Sequence, residues 1–155
     1  MADFNLIHGA LPDEPWRANF VHRGIRVADE IGAERLGASL YELGPGEQIC
    51  PYHYHYANEE WLFVVSGTPI VRAPDGDHVL RAGDVTCFPT GPEGAHSVRN
   101  ETGEPVRVLM LSTLIYPEIP VYPDSDKIGT RPVDVGEADR LNFRRSEAVD
   151  YWDGE

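Results

Sequence analysis

The chain has 155 residues, a length that suits one domain better than two. A hydrophobic fraction of 41% with 10% aromatic residues suffices for a packed core, and 26 acidic against 13 basic residues leave a formal charge of -13. Such a field repels phosphate backbones and anionic membrane surfaces, so neither nucleic acid nor membrane is expected as a partner.

The N-terminus, Met1-Ala2-Asp3-Phe4-Asn5, has no basic segment leading into an apolar stretch, and the longest apolar run, Trp61 to Val65, falls far short of the roughly 20 residues that span a bilayer. A cytoplasmic location is expected. Two cysteines, Cys50 and Cys87, exclude a disulfide framework and are expected as reduced thiols. Residues 1–35 read as an N-terminal arm in which Val27 to Arg35 alone has helical spacing, through Ala28, Ile31 and Arg35.

From 36 to 113 short apolar or alternating runs are punctuated by turn residues, as in an antiparallel sandwich or barrel. Leu36 to Leu43 ends at Gly44-Pro45-Gly46. Gln48 to Tyr56 follows, then Glu60 to Val65, closed by Ser66-Gly67. Ile70 to Ala73 and His78 to Arg81 flank Pro74-Asp75-Gly76-Asp77, whose Asp-Gly pair signals a hairpin. Val85 to Phe88 leads into the loop 89–94, and Ala95 to Asn100 and Val106 to Thr113 flank the turn at 101–104. The fold class is therefore all-β, and a parallel βαβ arrangement is disfavoured. Residues 114–155, Pro-rich and then acidic, read as a C-terminal arm packed on the barrel, with Phe143, Tyr151 and Trp152 arguing against a free tail.

The six histidines stand at positions 8, 22, 53, 55, 78 and 96. In a strand His53 and His55 share a face, about 7 Å apart at Cβ, close enough for two imidazoles to hold one ion at about 2.0 to 2.2 Å. Tyr52, Tyr54 and Tyr56 take the other face, as packing for an arm or a partner. After a turn at Asn58, Glu60 opens the next strand on the face of Leu62 and Val64, which a hairpin returns beside the histidines. A carboxylate facing a barrel interior is costly without a compensating cation or hydrogen bonds. His96, opening a strand after the glycine-rich loop, is the fourth candidate.

These residues resemble the cupin superfamily. Gly46 to Gly67, containing His53, His55 and Glu60, looks like its first motif, and Gly83 to Asn100, containing Pro89 and His96, looks like its second. The resemblance implies a double-stranded β-helix, a jelly-roll barrel over 36–113, with metal ligands His53, His55, Glu60 and His96. Gly46 lies one residue too far from His53, and Gly91 stands four residues before His96 where two are usual, so the mouth departs from the family more than the ligands do. Three imidazoles and one carboxylate suit one divalent ion per chain: iron, manganese, zinc, nickel, cobalt or copper.

The remaining candidates are expected to be ordinary. His8, His22 and His78 read as polar contacts, Glu59 as solvated or paired, Cys50 as no ligand, and Asp124-Ser125-Asp126-Lys127 as a solvated loop. Arg144-Arg145 should find carboxylate partners within the chain. The leading functional reading is a metal-dependent enzyme on a small oxygen-bearing metabolite, of oxygenase, isomerase or decarboxylase type. The alternative is a non-catalytic module that binds a small sugar or acid with the metal as a clamp, and a regulatory sensor is disfavoured for want of a helix-turn-helix pattern. A homodimer is expected, because a barrel of this size buries limited surface and the aromatic residues of both arms need cover.

Overall fold

The computed structural model of the protein describes residues 1–12, 23–133 and 140–155. These form twelve short strands and one α-helix: β1 (Arg23–Ile25), α1 (Val27–Ile31), β2 (Leu36–Leu43), β3 (Tyr54–His55), β4 (Glu60–Ser66), β5 (Ile70–Ala73), β6 (Gly76–Val79), β7 (Val85–Phe88), β8 (Ser97–Arg99), β9 (Val106–Thr113), β10 (Pro120–Tyr122), β11 (Lys127–Gly129) and β12 (Asn142–Arg144). No helix among the described residues is long and apolar enough to cross a membrane.

One sheet has the order β1-β2-β9-β4-β7, every pair antiparallel. The opposite wall is two smaller sheets, β12-β11-β10-β3 and β6-β5-β8, joined where His53 bridges to His96. The strand expected over Gln48 to Tyr56 is laddered only at β3, with single bridges at Gln48 and His53. Pro51 lies between them and brings no N–H to a ladder.

Between the walls lies the main core. Leu43, Leu62, Val64, Val106 and Val108, all 0% exposed, meet Val71, Val98 and Phe88 from the other strands and Ile49 from the segment between β2 and β3. Alternation along β4 does this, turning Leu62 and Val64 inward and Trp61 outward. Each such Leu or Val contributes about 1.5 to 3 kcal/mol. A second cluster lies on the outer face of the large sheet, where Leu11, Val27 and Ala28 cover Ala38 and Leu40.

The terminal segments add strands rather than merely lying on the barrel. β1 extends the large sheet beside β2, and β10 pairs with β3 at Pro120 opposite His55 and Val121 opposite Tyr54. The helix is shorter than its periodicity suggests, because Gly32 takes the left-handed conformation (φ 71°) and stops it at Ile31. β6 begins at Gly76 instead of His78, with Ala73 opposite Gly76, so the two-residue turn is Pro74-Asp75. The C-terminal aromatics also differ from expectation. Phe143 sits in β12 opposite Ile128, whereas Tyr151 and Trp152 contact each other and stand 84% and 71% exposed. The arm is therefore anchored by its strands and not by its last aromatic pair.

Candidate metal centre

Strand alternation at 53–55 sends Tyr54 outward into a cluster with Ala95 and Val121, under Tyr52 and Ile128, and leaves His53 and His55 facing the interior. The tyrosine face is thus packing under the C-terminal arm. Glu60 enters from the start of β4, between Phe88 of β7 and Ser112 of β9. His96 follows a 3-10 turn over Pro92–Gly94 that takes up the extra loop length, with Gly91 N–H donating to His55 O at 2.7 Å. Gly94 allows that turn, since a Cβ there would overlap the carbonyl oxygen of Pro89.

Two of the three imidazoles are held alike. His53 Nδ1–H donates to Pro51 O and His96 Nδ1–H to Gly94 O, both at 2.9 Å, so each ring turns Nε2 to the interior as a lone pair. His55 Nδ1 faces Glu118 Oε1 at 3.4 Å, too poorly aligned for a hydrogen bond. All three Nε2 atoms surround one oxygen: Glu60 Oε2 lies 3.3 Å from that of His55, 3.4 Å from that of His96 and 4.0 Å from that of His53. His53, Glu60 and His96 each offer a ligand atom within 4.8 Å of the others. His55 is outside that mutually close group and joins it through Glu60; atoms bound at about 2.1 Å to one ion sit about 3 to 4 Å apart, the range spanned by the three distances to Glu60 Oε2. His55 Nε2, His96 Nε2 and Glu60 Oε2 are buried without any hydrogen-bond partner, a costly arrangement that a cation would relieve. The donor set fits a divalent metal.

Charge is strongly perturbed here. Burial pushes His53 down to about 4, helped by the neighbouring His96 and His55. Burial would lower His55 too, but Glu118 and Glu60 on its two sides outweigh it and hold the pKa at about 9. Burial alone would raise Glu60, yet His55 and His96 keep it well below the usual carboxylate range. A proton on His55 between two carboxylates does electrostatically what a metal would do, so the two compete. Phe88 stacks on His96 at 3.7 Å, and Tyr122 stacks on His53 at 5.8 Å between ring centroids.

Glu118, in the C-terminal arm, is the residue that reasoning from sequence missed. It is 4% exposed, accepts from Asn58 Nδ2 and from Tyr56 N–H, and is tied through its backbone to Arg131. Asn58 locks the arrangement by bonding Ile115 N–H, Ile115 O and Thr113 Oγ1. Only tertiary pairing brings a carboxylate 58 positions past Glu60 behind His55, so no local signal marks it.

The ligand group opens on a cavity of about 460 Å³, walled by Tyr41, Ile49, Cys50 and Met110 on the barrel side and by Tyr122, Lys127, Arg131 and Asn142 from the arm. Lys127 was expected in a solvated loop and instead lines the cavity, while Asp124 of the same loop binds Arg72. Cys50 and Cys87 are free thiols. Cys50 Sγ lies 3.5 Å from His53 Nδ1, on the ring side away from Glu60, and burial pushes its thiol up. His8 is exposed, His78 pairs with Asp75 at 2.9 Å, Glu59 accepts from Trp61 Nε1, and His22 lies outside the described residues. Arg144 donates to Ser125 O, and neither it nor Arg145 has a carboxylate within 4.0 Å among the described residues, contrary to expectation, because β12 and the turn after it lie exposed at the arm's edge.

Residues 39–112 match the family model described as the Cupin domain. The barrel is a cupin domain. Beyond the barrel, the protein is 27% identical over 111 residues, 72% of the chain and 70% of the relative, to the tetracenomycin polyketide synthase protein TcmJ of Streptomyces glaucescens. Its fold is shared with a sugar phosphate isomerase of the cupin superfamily from Silicibacter pomeroyi, at TM-score 0.78 and 24% identity, covering 97% of this chain and 98% of that one. A putative sugar phosphate isomerase from Acidithiobacillus ferrooxidans is similar at TM-score 0.77 and 21% identity over 93% and 89% of the two chains. At such coverage the likeness takes in the terminal segments as well as the barrel.

Proposed function

We propose that this protein is a metal-dependent enzyme acting on a small oxygen-bearing metabolite by isomerase, decarboxylase or dioxygenase chemistry, with His53, His55, Glu60 and His96 as the ligands of one divalent ion per chain. The observation that carries the reading is the set of buried atoms without partners, His55 Nε2, His96 Nε2 and Glu60 Oε2, converging with His53 Nε2 on the cavity. A bound ion would supply Lewis acidity toward a substrate oxygen. The chain's own groups supply the rest. Glu60 brings one negative charge and three neutral imidazoles bring none, so the site keeps positive character when loaded. Tyr41, whose pKa burial raises, keeps its proton and can hydrogen-bond a substrate oxygen. Ile49 and Met110 keep part of the wall dry. Relatives named as a polyketide synthase protein and as sugar phosphate isomerases fit an enzyme better than a passive barrel.

The test begins with elemental analysis after loading with iron, manganese, zinc, nickel, cobalt and copper in turn, for which about one ion per chain is expected. Metal-loaded protein is then incubated with a small-molecule extract of its native host, with and without air, and the extract is scanned by mass. Consumption of one component by the wild type, and far slower consumption by metal-saturated Glu60→Gln, supports the enzyme. A component retained but recovered unaltered with every metal in both atmospheres overturns it in favour of the metal clamp.

A further inference from the structure

The protein is strongly acidic, and five of its arginines are neutralised by carboxylates. Glu42 takes both Arg23 and Arg107, Asp29 takes Arg26, Asp124 takes Arg72, and Asp77 with Glu101 takes Arg99. The cavity at the candidate metal centre is lined by two cations that are not so paired. Lys127 and Arg131 line it, and neither has a carboxylate within 4.0 Å among the described residues. Among the described residues, the one acidic residue in the same lining is Glu60, which the ion would offset. A chain of formal charge -13 therefore keeps an excess of positive charge at the one place where the ligand group meets open volume.

Both cations are set in place by the arm. Residues 127, 129 and 131 alternate onto one face of the chain at β11. Position 129 is glycine, and a Cβ there would come 3.0 Å from Arg131 Nη1 and 2.8 Å from Asn142 Oδ1, so its absence lets the guanidinium lie back across the strand. Arg131 Nη1 donates to Thr130 O at 2.8 Å and Leu141 O at 3.2 Å, and Nη2 donates to Asn142 Oδ1 at 3.3 Å. Those acceptors are neutral. They fix the group without discharging it and leave N–H bonds over for a ligand. Lys127 Nζ stands 5.3 Å from the Tyr122 ring centroid, and that ring stacks on His53, which puts the ammonium two ring spacings from the ligand group.

From this placement, and resting on the reading of the centre given above, we propose that the substrate carries an oxyanion, a carboxylate or a phosphate, which Lys127 and Arg131 hold while its other oxygens face the ligand group. Fixed cations facing volume, with no counter-ion among the described residues, give up no ion pair there when an anion arrives. A guanidinium that is already oriented gives up little further entropy in binding.

The test uses full-length protein loaded with whichever metal gives one ion per chain, and calorimetric titration with four probes: inorganic phosphate, a pentose 5-phosphate, the corresponding aldonate and the free pentose. The variants are Lys127→Gln, Arg131→Gln, the double variant and Arg131→Lys. Each Gln substitution should weaken the better-bound anionic probe roughly ten-fold, leave the free pentose unchanged and leave the metal stoichiometry at one. Arg131→Lys should recover part of the loss, and the tighter of the phosphate and carboxylate probes identifies the oxyanion. Anion affinity equal in wild type and double variant would mean that the metal alone binds the anion, and would overturn the proposal. So would failure of metal-loaded wild type to bind any anionic probe. Metal stoichiometry is read separately, so failure of the centre shows as failure to load, whatever the anions do.

Discussion

Replacing Glu118 by Gln keeps the side-chain shape and removes one charge from behind His55. The carboxylate accepts from Tyr56 N–H at 3.2 Å and from Asn58 Nδ2, and its charge lies 3.4 Å from the Nδ1 edge of His55 without a hydrogen bond to it. An amide has one oxygen and turns its NH₂ toward whichever donor is left, so a buried donor meets a donor. That costs about 1 to 3 kcal/mol of stability. Asn58 stays pinned by Ile115 and Thr113, so the damage should remain local. The larger consequence falls on the metal. Without the carboxylate, His55 becomes a less basic and less firmly oriented donor, and loss of such an outer partner typically lowers metal affinity about 10- to 100-fold.

The assay is competition with a chromophoric chelator at fixed pH, alongside thermal melts of the chelated protein. Glu118→Gln should show both losses, and its metal-free melt should fall less than that of Glu118→Ala, which also leaves a void. Wild-type metal affinity in a folded Glu118→Gln protein would refute the role of Glu118 behind His55.

Protons and metal should compete at His55. Its folded pKa of about 9 exceeds the ordinary 6.5, so its share of stability in chelated protein is full below about pH 6.5 and is lost as pH rises through about 9. Metal binding must displace that proton, so the rise in melting temperature on loading should widen from about pH 6 to about pH 8.5, and a gap constant across that range would count against the assignment. Gly94→Ala forces a Cβ into Pro89 O and should cost about 1 to 3 kcal/mol while weakening metal binding through His96; a chemical-denaturation midpoint equal to that of the wild type would contradict the packing described for that turn. A homodimer is expected through the outer face of the large sheet, where Leu36, Trp61 and Val85 stand 57%, 47% and 58% exposed beyond the cover of α1. Light scattering should give twice 17.3 kDa, falling to the monomer in Trp61→Glu, and a wild-type mass of 17.3 kDa at micromolar concentration would rule the dimer out.

Local chemistry made the barrel legible. Leu36–Leu43, Ile70–Ala73, Val85–Phe88 and Val106–Thr113 are strands over the same residues that their apolar runs and flanking turns delimit. The histidine pair was legible because a period of two fixes which side chains share a face, and Glu60 because it leads a strand whose next inward residues are Leu62 and Val64. What could not be read was everything that depends on which segments pair. The two-residue turn at Pro74-Asp75 shifts β6 toward the N-terminus by a backbone choice at Gly76 (φ 131°). Glu118, Lys127 and Arg131 reach the centre only because β10 pairs with β3 and carries β11 in behind it, and a polar residue in a Pro-rich arm looks the same from sequence whether it faces solvent or a cavity.

That pairing divides the labour within the molecule. The barrel strands carry the ligand side chains, set by the alternation at 53–55, the start of β4 and the turn before His96. The arm touches the same chemistry from outside at three depths. Val121, 1% exposed, packs beneath Tyr54 and fixes the strand that bears both histidines. Glu118 sets the rear of His55, and Lys127 with Arg131 sets the charge at the mouth. Because Pro120 is opposite His55 in the ladder, a shift of the arm's register by one residue would turn its inward side chains outward and withdraw Val121 from Tyr54 in the same movement. On the reading proposed above, metal binding and ligand choice are coupled through one antiparallel pairing. The candidate ligands come from the barrel, and the charge proposed to select the molecule comes from the segment that closes it.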